Sequence, residues 1–430
     1  MFVFKDATLP NGTQGDVAVD GERIAAVDED LTGETTVDAS GKWLFPGMID
    51  VHVHFREPGF PEKETWESGS RAAAAGGVTT AVDQPNTDPP TVDGAGFDQK
   101  AAHAEDSIVD WGINGGVTPE WQPTELFERP LFALGEVFLA DSTGDMGIET
   151  DRFERALERA SAADVVTTVH AEDADYFDQT ARDRDDAAAW SAFRTPEAEA
   201  QAVDRAIEAA QELDASVHIA HASTPEAIDR ATNAGATVEV TPHHLFLSTE
   251  DAESLGTFGR MNPPLRDESR QEAVAERVRD GTVDVIATDH APHTREQKDA
   301  DIWSAPSGVP GVETALPLLL AEVAAGRLKP SRVRDLTARN PARIFDLPRK
   351  GTIEAGADAD LVLVDFDATR EIRGEDLHGK TDWTPFEGMT GVFPELTMVR
   401  GQIVWESPDP RTPTGNFDEQ AGQNVRNPSP

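Results

Sequence analysis

Between residues 47 and 345 the sequence alternates between short apolar stretches and longer stretches with helical periodicity. In residues 196–213, for example, apolar side chains recur at helical spacing on one face, behind a Thr-Pro pair suited to a helix start. The apolar stretches predict eight β-strands, at residues 47–55, 79–86, 110–117, 134–140, 165–170, 216–221, 237–241 and 283–289. Eight strands separated by helices predict an α/β fold, a (β/α)8 TIM-type barrel. A doubly wound open sheet is the alternative, but no Gly-x-Gly-x-x-Gly or Walker-type loop supports nucleotide binding.

Both ends of the chain are instead rich in short β-prone runs. Residues 17–27 hold Asp20-Gly21 between two such runs, which is a hairpin signal, and residues 356–365 and 397–405 resemble further strands. We therefore expect residues 1–46 and 346–405 to form one small β domain together, beside a barrel of residues 47–345. Residues 406–430 are rich in Pro, Asn, Gln and Gly, and predict a flexible C-terminal tail.

The composition narrows the partners of the protein. Lys+Arg number 37 against 80 Asp+Glu, a formal charge of −43, which disfavours nucleic acid and anionic membranes. The acidic residues are spread along the whole chain, and only 8 of the basic residues are Lys, which indicates a surface adapted to high salt. The chain has no cysteine, so disulfides, thiolate metal sites and a cysteine nucleophile are excluded. No apolar run is long enough for a membrane span and no signal-peptide pattern is present, so we expect a cytoplasmic protein, with a homo-oligomer left open.

Candidate metal ligands lie at the predicted ends of several strands. His52 and His54 are two residues apart, so on a strand they face the same way. The fifth predicted strand ends at His170, the sixth at His221 and the eighth at Asp289. An isolated His-x-His pair is as easily a hydrogen-bonded core feature, but the carboxyl ends of barrel strands meet at one rim, where active sites form. Imidazoles and carboxylates without thiols suit zinc, with manganese or cobalt as substitutes.

These motifs and their order resemble the amidohydrolase superfamily and, within it, the family of class I type dihydroorotases. The resemblance covers about residues 40–405 and is carried by the segments at 52–59, 84–87, 170–172, 242–247, 262–266, 289–293, 308–314 and 340–345. It implies a zinc-dependent cyclic amide hydrolase with two Zn²⁺ ions per subunit. The implied activity is the reversible cyclisation of N-carbamoyl-L-aspartate to (S)-dihydroorotate in pyrimidine biosynthesis, in which a metal-bridged hydroxide attacks the cyclic amide. The implied partner is therefore a small-molecule substrate.

The resemblance also implies individual roles. His52 and His54 would bind one metal, His170 and His221 a second, and Asp289 would bind the first metal and act as the catalytic proton shuttle. Substrate-binding residues would be Arg56, Asn86, Asn262 and His293, which hold the substrate carboxylate.

One position departs from the family pattern. Many relatives bridge the metals with a carbamylated lysine on the fourth strand, where this chain has no lysine. Glu136 is the preferred replacement and Asp141 the competitor.

Three further histidines have less definite roles. His218 lies three residues before His221, so strand alternation predicts that it faces the other way and is structural. His243 and His244 have two equally open roles: they either support the metal ligands or pack the loop after the seventh strand.

Two rival functions remain. A hydantoinase, dihydropyrimidinase or allantoinase would share the metal histidines but would not need Arg56. A non-catalytic scaffold relative would have lost metal ligands, whereas His52, His54, His170, His221 and Asp289 are all present.

The net charge generates a first prediction. Self-repulsion at −43 destabilises the folded state in dilute buffer, and molar KCl screens it. We expect the melting temperature, measured by circular dichroism, to rise markedly from dilute buffer to molar KCl. An unchanged melting temperature would contradict adaptation to high salt.

Overall fold

The computed structural model describes residues 1–139, 146–418 and 422–427. In chain order, strands β1 to β5 are Phe2–Thr8, Gln14–Asp20, Arg23–Asp28, Thr35–Asp38 and Trp43–Pro46. Strands β6 to β13 are Met48–Val53, Val78–Asp83, Asp110–Ile113, Leu134–Phe138, Thr167–His170, Val217–Ile219, Thr237–Val240 and Val285–Ile286. Strands β14 to β19 are Leu361–Val364, Thr369–Glu371, Thr390–Val392, Leu396–Val399, Gln402–Glu406 and Asn416–Phe417.

The helices lie mostly between the strands of the central set. Helices α1 to α7 are Trp66–Ala75, Gly94–Ala104, Pro123–Phe127, Thr150–Ala162, Ala189–Phe193, Pro196–Leu213 and Pro225–Asn233. Helices α8 to α14 are Pro242–Phe246, Ala252–Leu255, Glu268–Asp280, Arg295–Lys298, Ala315–Ala324, Pro330–Arg334 and Asn340–Ile344. Within the described residues, no helix is both long enough and apolar enough to cross a membrane.

Strands β6 to β13 form a closed parallel barrel. Strands β6, β7 and β8 pair in that order, and β9 to β13 form a second parallel run. Parallel bridges between Gly115 and Leu134 and between Val53 and His290 join the two runs on both sides. The ring order therefore follows the chain order, which confirms the predicted barrel and excludes the open sheet.

Seven of the eight barrel strands end earlier than the sequence pattern predicts, and only β10 ends at the predicted residue, His170. The pattern extends the first, sixth and eighth strands to residues 55, 221 and 289, whereas β6, β11 and β13 end at residues 53, 219 and 286. Arg56, His221 and Asp289 have positive φ angles of 66°, 34° and 46°, which cannot continue a strand. The polar residues at the rim therefore belong to turns that leave the barrel.

The two chain ends build one sheet, as predicted. Its strand order is β19-β18-β17-β14-β5-β1-β2-β3, with β4 paired to β1, so β14 from the C-terminal part lies antiparallel to β5 from the N-terminal part. Its apolar side chains form a core of their own, with Phe4, Leu44, Leu361 and Met398 buried. The domain limits given above stay predictions.

The segment after residue 406 differs from the predicted flexible tail in its described part. Strand β19 pairs with β18, and Trp111 of the barrel exchanges backbone hydrogen bonds with residues 423 and 425. Composition alone did not indicate these contacts, because they depend on a sheet edge and a barrel strand that are distant in the sequence.

A buried ionic network joins the barrel to the small sheet. The Lys350 ammonium donates to Asp110 at the start of β8 (2.7 Å) and to Asp360 beside β14 (2.5 Å). Arg400 donates from Nε to the other oxygen of Asp110 at 2.9 Å. Burial alone would lower the pKa of Lys350, but the charges of Asp110, Asp360 and Asp358 hold it above its ordinary value.

This network generates a stability prediction. Lys350→Met should lower the free energy of unfolding by about 3–5 kcal/mol, because it leaves buried carboxylates without their cation. Urea denaturation in molar KCl measures the loss. Arg327→Met is the control, since Arg327 is 58% exposed in its pair with Glu322 and should cost less than about 1 kcal/mol. Equal losses in the two variants would contradict a dominant role for the buried network.

Candidate metal centre and substrate pocket

The predicted metal ligands come together at the carboxyl-terminal rim of the barrel. They are His52 in β6, His54 just after it, Glu136 in β9, His170 at the end of β10, and His221 and Asp289 in the turns after β11 and β13. All six side chains are buried.

The six residues form two adjoining groups that share one carboxylate. His52, His54 and Glu136 make one group, and Glu136, His170 and His221 make the other; in each group the ligand atoms lie within 4.8 Å of one another. Glu136 Oε1 lies 2.8 Å from His170 Nδ1 and 2.5 Å from His221 Nε2. The sharing of Glu136 is the arrangement that two neighbouring cations with one bridging carboxylate require.

Asp289 lies beside the two histidines of the first group. Its Oδ1 is 3.0 Å from His54 Nε2 and 3.6 Å from His52 Nε2, while Glu136 Oε2 is 3.5 Å from the same His52 atom. Within the described residues, His52 Nε2 is buried without a hydrogen-bond partner. Buried polar atoms normally have hydrogen-bond partners. A cation bound between His52 Nε2 and the two carboxylates would supply the missing partner of this nitrogen.

Charge compensation keeps the shared carboxylate ionised. Burial alone would raise the pKa of Glu136, but the imidazoles of His221 and His52 and the hydrogen bonds from His170 and His221 hold it well below its ordinary value. His170 faces carboxylates on both ring nitrogens, and these raise its pKa to about 9 against the effect of burial. A metal cation could take the place of the proton between His170 and Glu136, because thiol-free sites of this kind bind neutral imidazole and carboxylate.

The backbone before Glu136 is adapted to a crowded position. Gly135 has φ +137°, and a Cβ there would lie 2.2 Å from the Thr168 hydroxyl oxygen of the neighbouring strand. The Glu136 N–H donates to the side-chain oxygen of Gln84 at 2.9 Å. Only glycine fits at position 135. The hydrogen bond to the Gln84 side chain fixes the backbone N–H of Glu136.

Sequence reasoning missed two buried carboxylates that orient the histidines. Glu239 in β12 accepts from His52 Nδ1 at 2.7 Å, and Glu172 accepts from His170 Nε2 at 2.8 Å. Asn86 fills the same role for His54, whose Nδ1 lies 2.7 Å from Asn86 Oδ1. Such partners fix the ring orientation and tautomer of a metal ligand. The only available signals were an acidic residue inside an apolar strand and the spacing of His170-Ala-Glu172.

The predicted orientation of His218 is wrong. Its Nε2 lies 3.1 Å from Glu239 Oε2, so it points into the barrel, to the carboxylate that also holds His52. The alternation rule fails because β11 ends at Ile219 and His221 lies in the following turn. His218 therefore belongs to the hydrogen-bond network below the candidate metal ligands.

The two remaining histidines differ from each other. His244 packs the loop, because its Nδ1 lies 2.8 Å from the Thr241 hydroxyl and its Nε2 lies 3.0 Å from the Pro263 carbonyl. His243 is buried, and within the described residues its Nε2 has no hydrogen-bond partner. Burial lowers its pKa to about 4, against the nearby charge of Asp289.

A small pocket opens beside the metal ligands. Three predicted substrate residues line it, together with ligand side chains; the lining comprises His54, Arg56, Asn86, Glu136, Phe138, His170, His221, Asn262, Asp289, Ala291, Ser307 and Gly308. The fourth, His293, lies next to Arg56, with its Nε2 3.3 Å from Arg56 Nη2. The structure thus brings all four together on one side of the candidate metal centre.

Comparison with known proteins relates the chain to enzymes of similar length. Residues 43–404 match the model of the amidohydrolase family. A dihydroorotase from Halobacterium salinarum is 63% identical over 428 residues, which cover 99% of this chain and 100% of the relative. A dihydroorotase from Methanosarcina acetivorans is 43% identical and covers 95% of this chain and 92% of the relative. Among solved structures, the L-hydantoinase (dihydropyrimidinase) from Arthrobacter aurescens superimposes with a TM-score of 0.90 at 28% identity, covering 94% of this chain and 96% of its own.

The shared carboxylate generates a prediction about metal content. Asp141, the competing candidate, lies outside the described residues. Glu136→Gln removes the charge at nearly constant volume, and we expect it to lose most bound metal after dialysis, as measured by elemental analysis. Asp141→Asn is the matched control and should keep the wild-type metal content. Retention of metal by Glu136→Gln with loss in Asp141→Asn would assign the bridging position to Asp141.

Proposed function

The chain belongs to the amidohydrolase family, and we propose that it is a dihydroorotase, interconverting N-carbamoyl-L-aspartate and (S)-dihydroorotate for pyrimidine synthesis. The 63% identity with a dihydroorotase over the full length of both chains supports this activity. The site observation that carries the proposal is Arg56, a buried cation that faces the pocket beside the candidate metal centre.

We further propose that the metal is zinc, with two ions per subunit. His52, His54 and Asp289 would hold one ion, His170 and His221 the other, and Glu136 would lie between them. Divalent ions bound there supply a nucleophile at neutral pH by lowering the pKa of water, and they polarise the amide carbonyl.

Asp289 is the residue placed to move the proton. In ring opening, the amide C–N bond breaks, the hydroxyl of water joins the carbonyl carbon, and the proton of that water must reach the ring nitrogen. The Asp289 carboxylate lines the pocket and would accept this proton and deliver it to the nitrogen as a general base turned acid. Ring closure uses the same steps in reverse.

Arg56 is the residue placed to bind the substrate carboxylate. It is 4% exposed, and its Nε donates to the Pro292 carbonyl at 3.3 Å. None of the described carboxylates forms an ion pair with it, and burial lowers its pKa to about 10 against the more distant charges of Asp289, Asp83 and Glu64. A buried guanidinium without a carboxylate partner is costly, so a bound anion with two oxygens is its natural complement. Asn86, Asn262 and His293 would complete this anion site.

The same observation separates the proposal from its rivals. Hydantoin, dihydrouracil and allantoin carry no ring carboxylate to balance Arg56, although the solved neighbours include hydantoinases. A scaffold that binds no metal would not require two groups of candidate metal ligands that share the buried Glu136 carboxylate. Adaptation to high salt, a cytoplasmic location and a homo-oligomer stay predictions from the sequence.

An activity comparison tests the proposal. The zinc-loaded protein in molar KCl should hydrolyse dihydroorotate and cyclise N-carbamoyl-L-aspartate, with far lower kcat/KM on hydantoin, dihydrouracil and allantoin. Arg56→Met should lower kcat/KM for dihydroorotate about 100-fold or more, because the substrate carboxylate loses a charge-assisted bidentate contact. The exposed-arginine variant Arg327→Met serves as control and should retain wild-type kinetics. Preference for hydantoin, or a loss of less than about twofold in Arg56→Met, would contradict the proposal.

A further inference from the structure

Lys298, the last residue of α11, is a buried lysine whose ammonium binds backbone carbonyls and lies 5.7 Å from the centre of the Trp383 ring. Its side chain is 0% exposed, and its Nζ donates to the carbonyls of Arg260 and Pro306, both at 3.0 Å, and of Gly308 at 3.1 Å. Three acceptors use all three N–H groups of an ammonium. A neutral amine would direct its lone pair at one of these oxygens, so the geometry fits the charged form.

Within the part of the chain that the structure describes, no carboxylate forms an ion pair with this ammonium. Burial together with the charges of Arg260 and Arg56 lowers the pKa of Lys298 well below its ordinary value, whereas the three carbonyl acceptors stabilise the ammonium form. The other two fully or nearly buried lysines are paired: Lys100 with Asp83, and Lys350 with Asp110 and Asp360. In a chain of net charge −43, a buried cation without an acidic partner is an exception that needs an explanation.

Of the three residues whose carbonyls Lys298 binds, Gly308 lines the substrate pocket, and Pro306 and Arg260 lie in the same loops as the pocket residues Ser307 and Asn262. Ser307 and Gly308 line the pocket on one loop and Asn262 lines it on another. The two loops are also tied directly, because the Gly308 N–H donates to the Arg260 carbonyl at 3.0 Å and the Ser307 hydroxyl donates to Asn262 Oδ1 at 3.2 Å. The ammonium of Lys298 therefore binds the loop of residues 260–262 and the loop of residues 306–308 at one point next to the pocket.

The pocket wall that contains Ser307 is also connected to Arg56, the residue proposed to bind the substrate carboxylate. His293 Nε2 lies 3.0 Å from the Ser307 carbonyl and 3.3 Å from Arg56 Nη2. The segment of residues 306–308 is thus bound directly by Lys298 and is connected to Arg56 through His293. In a water-poor interior, a charge acts on a ligand over several ångströms without touching it.

We propose that Lys298 is a positioning residue that selects anionic ring substrates: it holds the wall formed by Asn262, Ser307 and Gly308, and the substrate carboxylate at Arg56 balances its charge. This inference rests on the proposed dihydroorotase activity and adds a specificity-determining residue to it. The preference for an anion then comes from two buried cations, of which one contacts the substrate and the other acts through the pocket wall.

Lys298→Met tests the inference, since it keeps the length of the side chain and removes its charge and donors. Because the lost interaction is present in both the bound substrate and the transition state, KM for dihydroorotate should rise about tenfold or more while kcat changes less than about threefold. The dissociation constant of orotate, a planar analogue with the same carboxylate, should rise in parallel. Zinc content should stay at the wild-type value.

Lys350→Met is the matched control, because Lys350 is also buried but its partner Asp110 is the first residue of β8, at the opposite end of the barrel. It should lose stability and keep its KM. An unchanged KM in Lys298→Met, or equal increases of KM in both variants, would overturn the proposal.

If Lys298→Met does not fold, Lys298→Gln replaces it, because this variant retains two donors without the charge and must show the same rise in KM. Wild-type turnover of dihydroorotate is measured first, so its absence would refute the activity itself, whereas normal turnover with an unaltered Lys298 variant would refute only the role of Lys298.

Discussion

Burial of charge at the rim of the barrel is the constraint on which the rest of the site depends. Glu136 is ionised in the interior because three imidazoles surround it, and each of those imidazoles must in turn be held in place. Glu239 and Glu172 hold two of them through their other ring nitrogen. These groups come from different strands, so only a closed barrel brings them to one point. The candidate metal centre therefore depends on the closed barrel, which brings its charged groups close enough to compensate one another.

The molecule treats its buried cations in two ways. Lys350 and Arg400 are paired with carboxylates and join the barrel to the small sheet, so their charges are balanced within the protein. Arg56 and Lys298 are held by carbonyls and an imidazole beside the pocket, without an ion pair among the described residues. Cations in ion pairs stabilise the fold, whereas buried cations without a direct ion pair can attract a bound anion. This difference marks the substrate side of the barrel independently of the metal ligands.

The sequence predicted the barrel because its strands are buried on both faces and differ clearly from the helices in periodicity. It also predicted that His52, His54, His170, His221 and Asp289 lie at one rim of the barrel, where the structure brings them together; their role as metal ligands stays a prediction. It could not predict Glu239 or Lys298, whose roles depend on strands and loops far away in the chain. The error at His218 has a local cause: alternation holds within a strand, and β11 ends before His221.

The most direct test of the account is a crystal structure of the zinc-loaded protein with anomalous diffraction at the zinc edge. The account predicts two zinc peaks on either side of the Glu136 carboxylate. One peak should lie about 2.0–2.1 Å from nitrogens of His52 and His54, and the other at that distance from nitrogens of His170 and His221. Zinc bound away from Glu136, or no zinc at these four histidines, would contradict it.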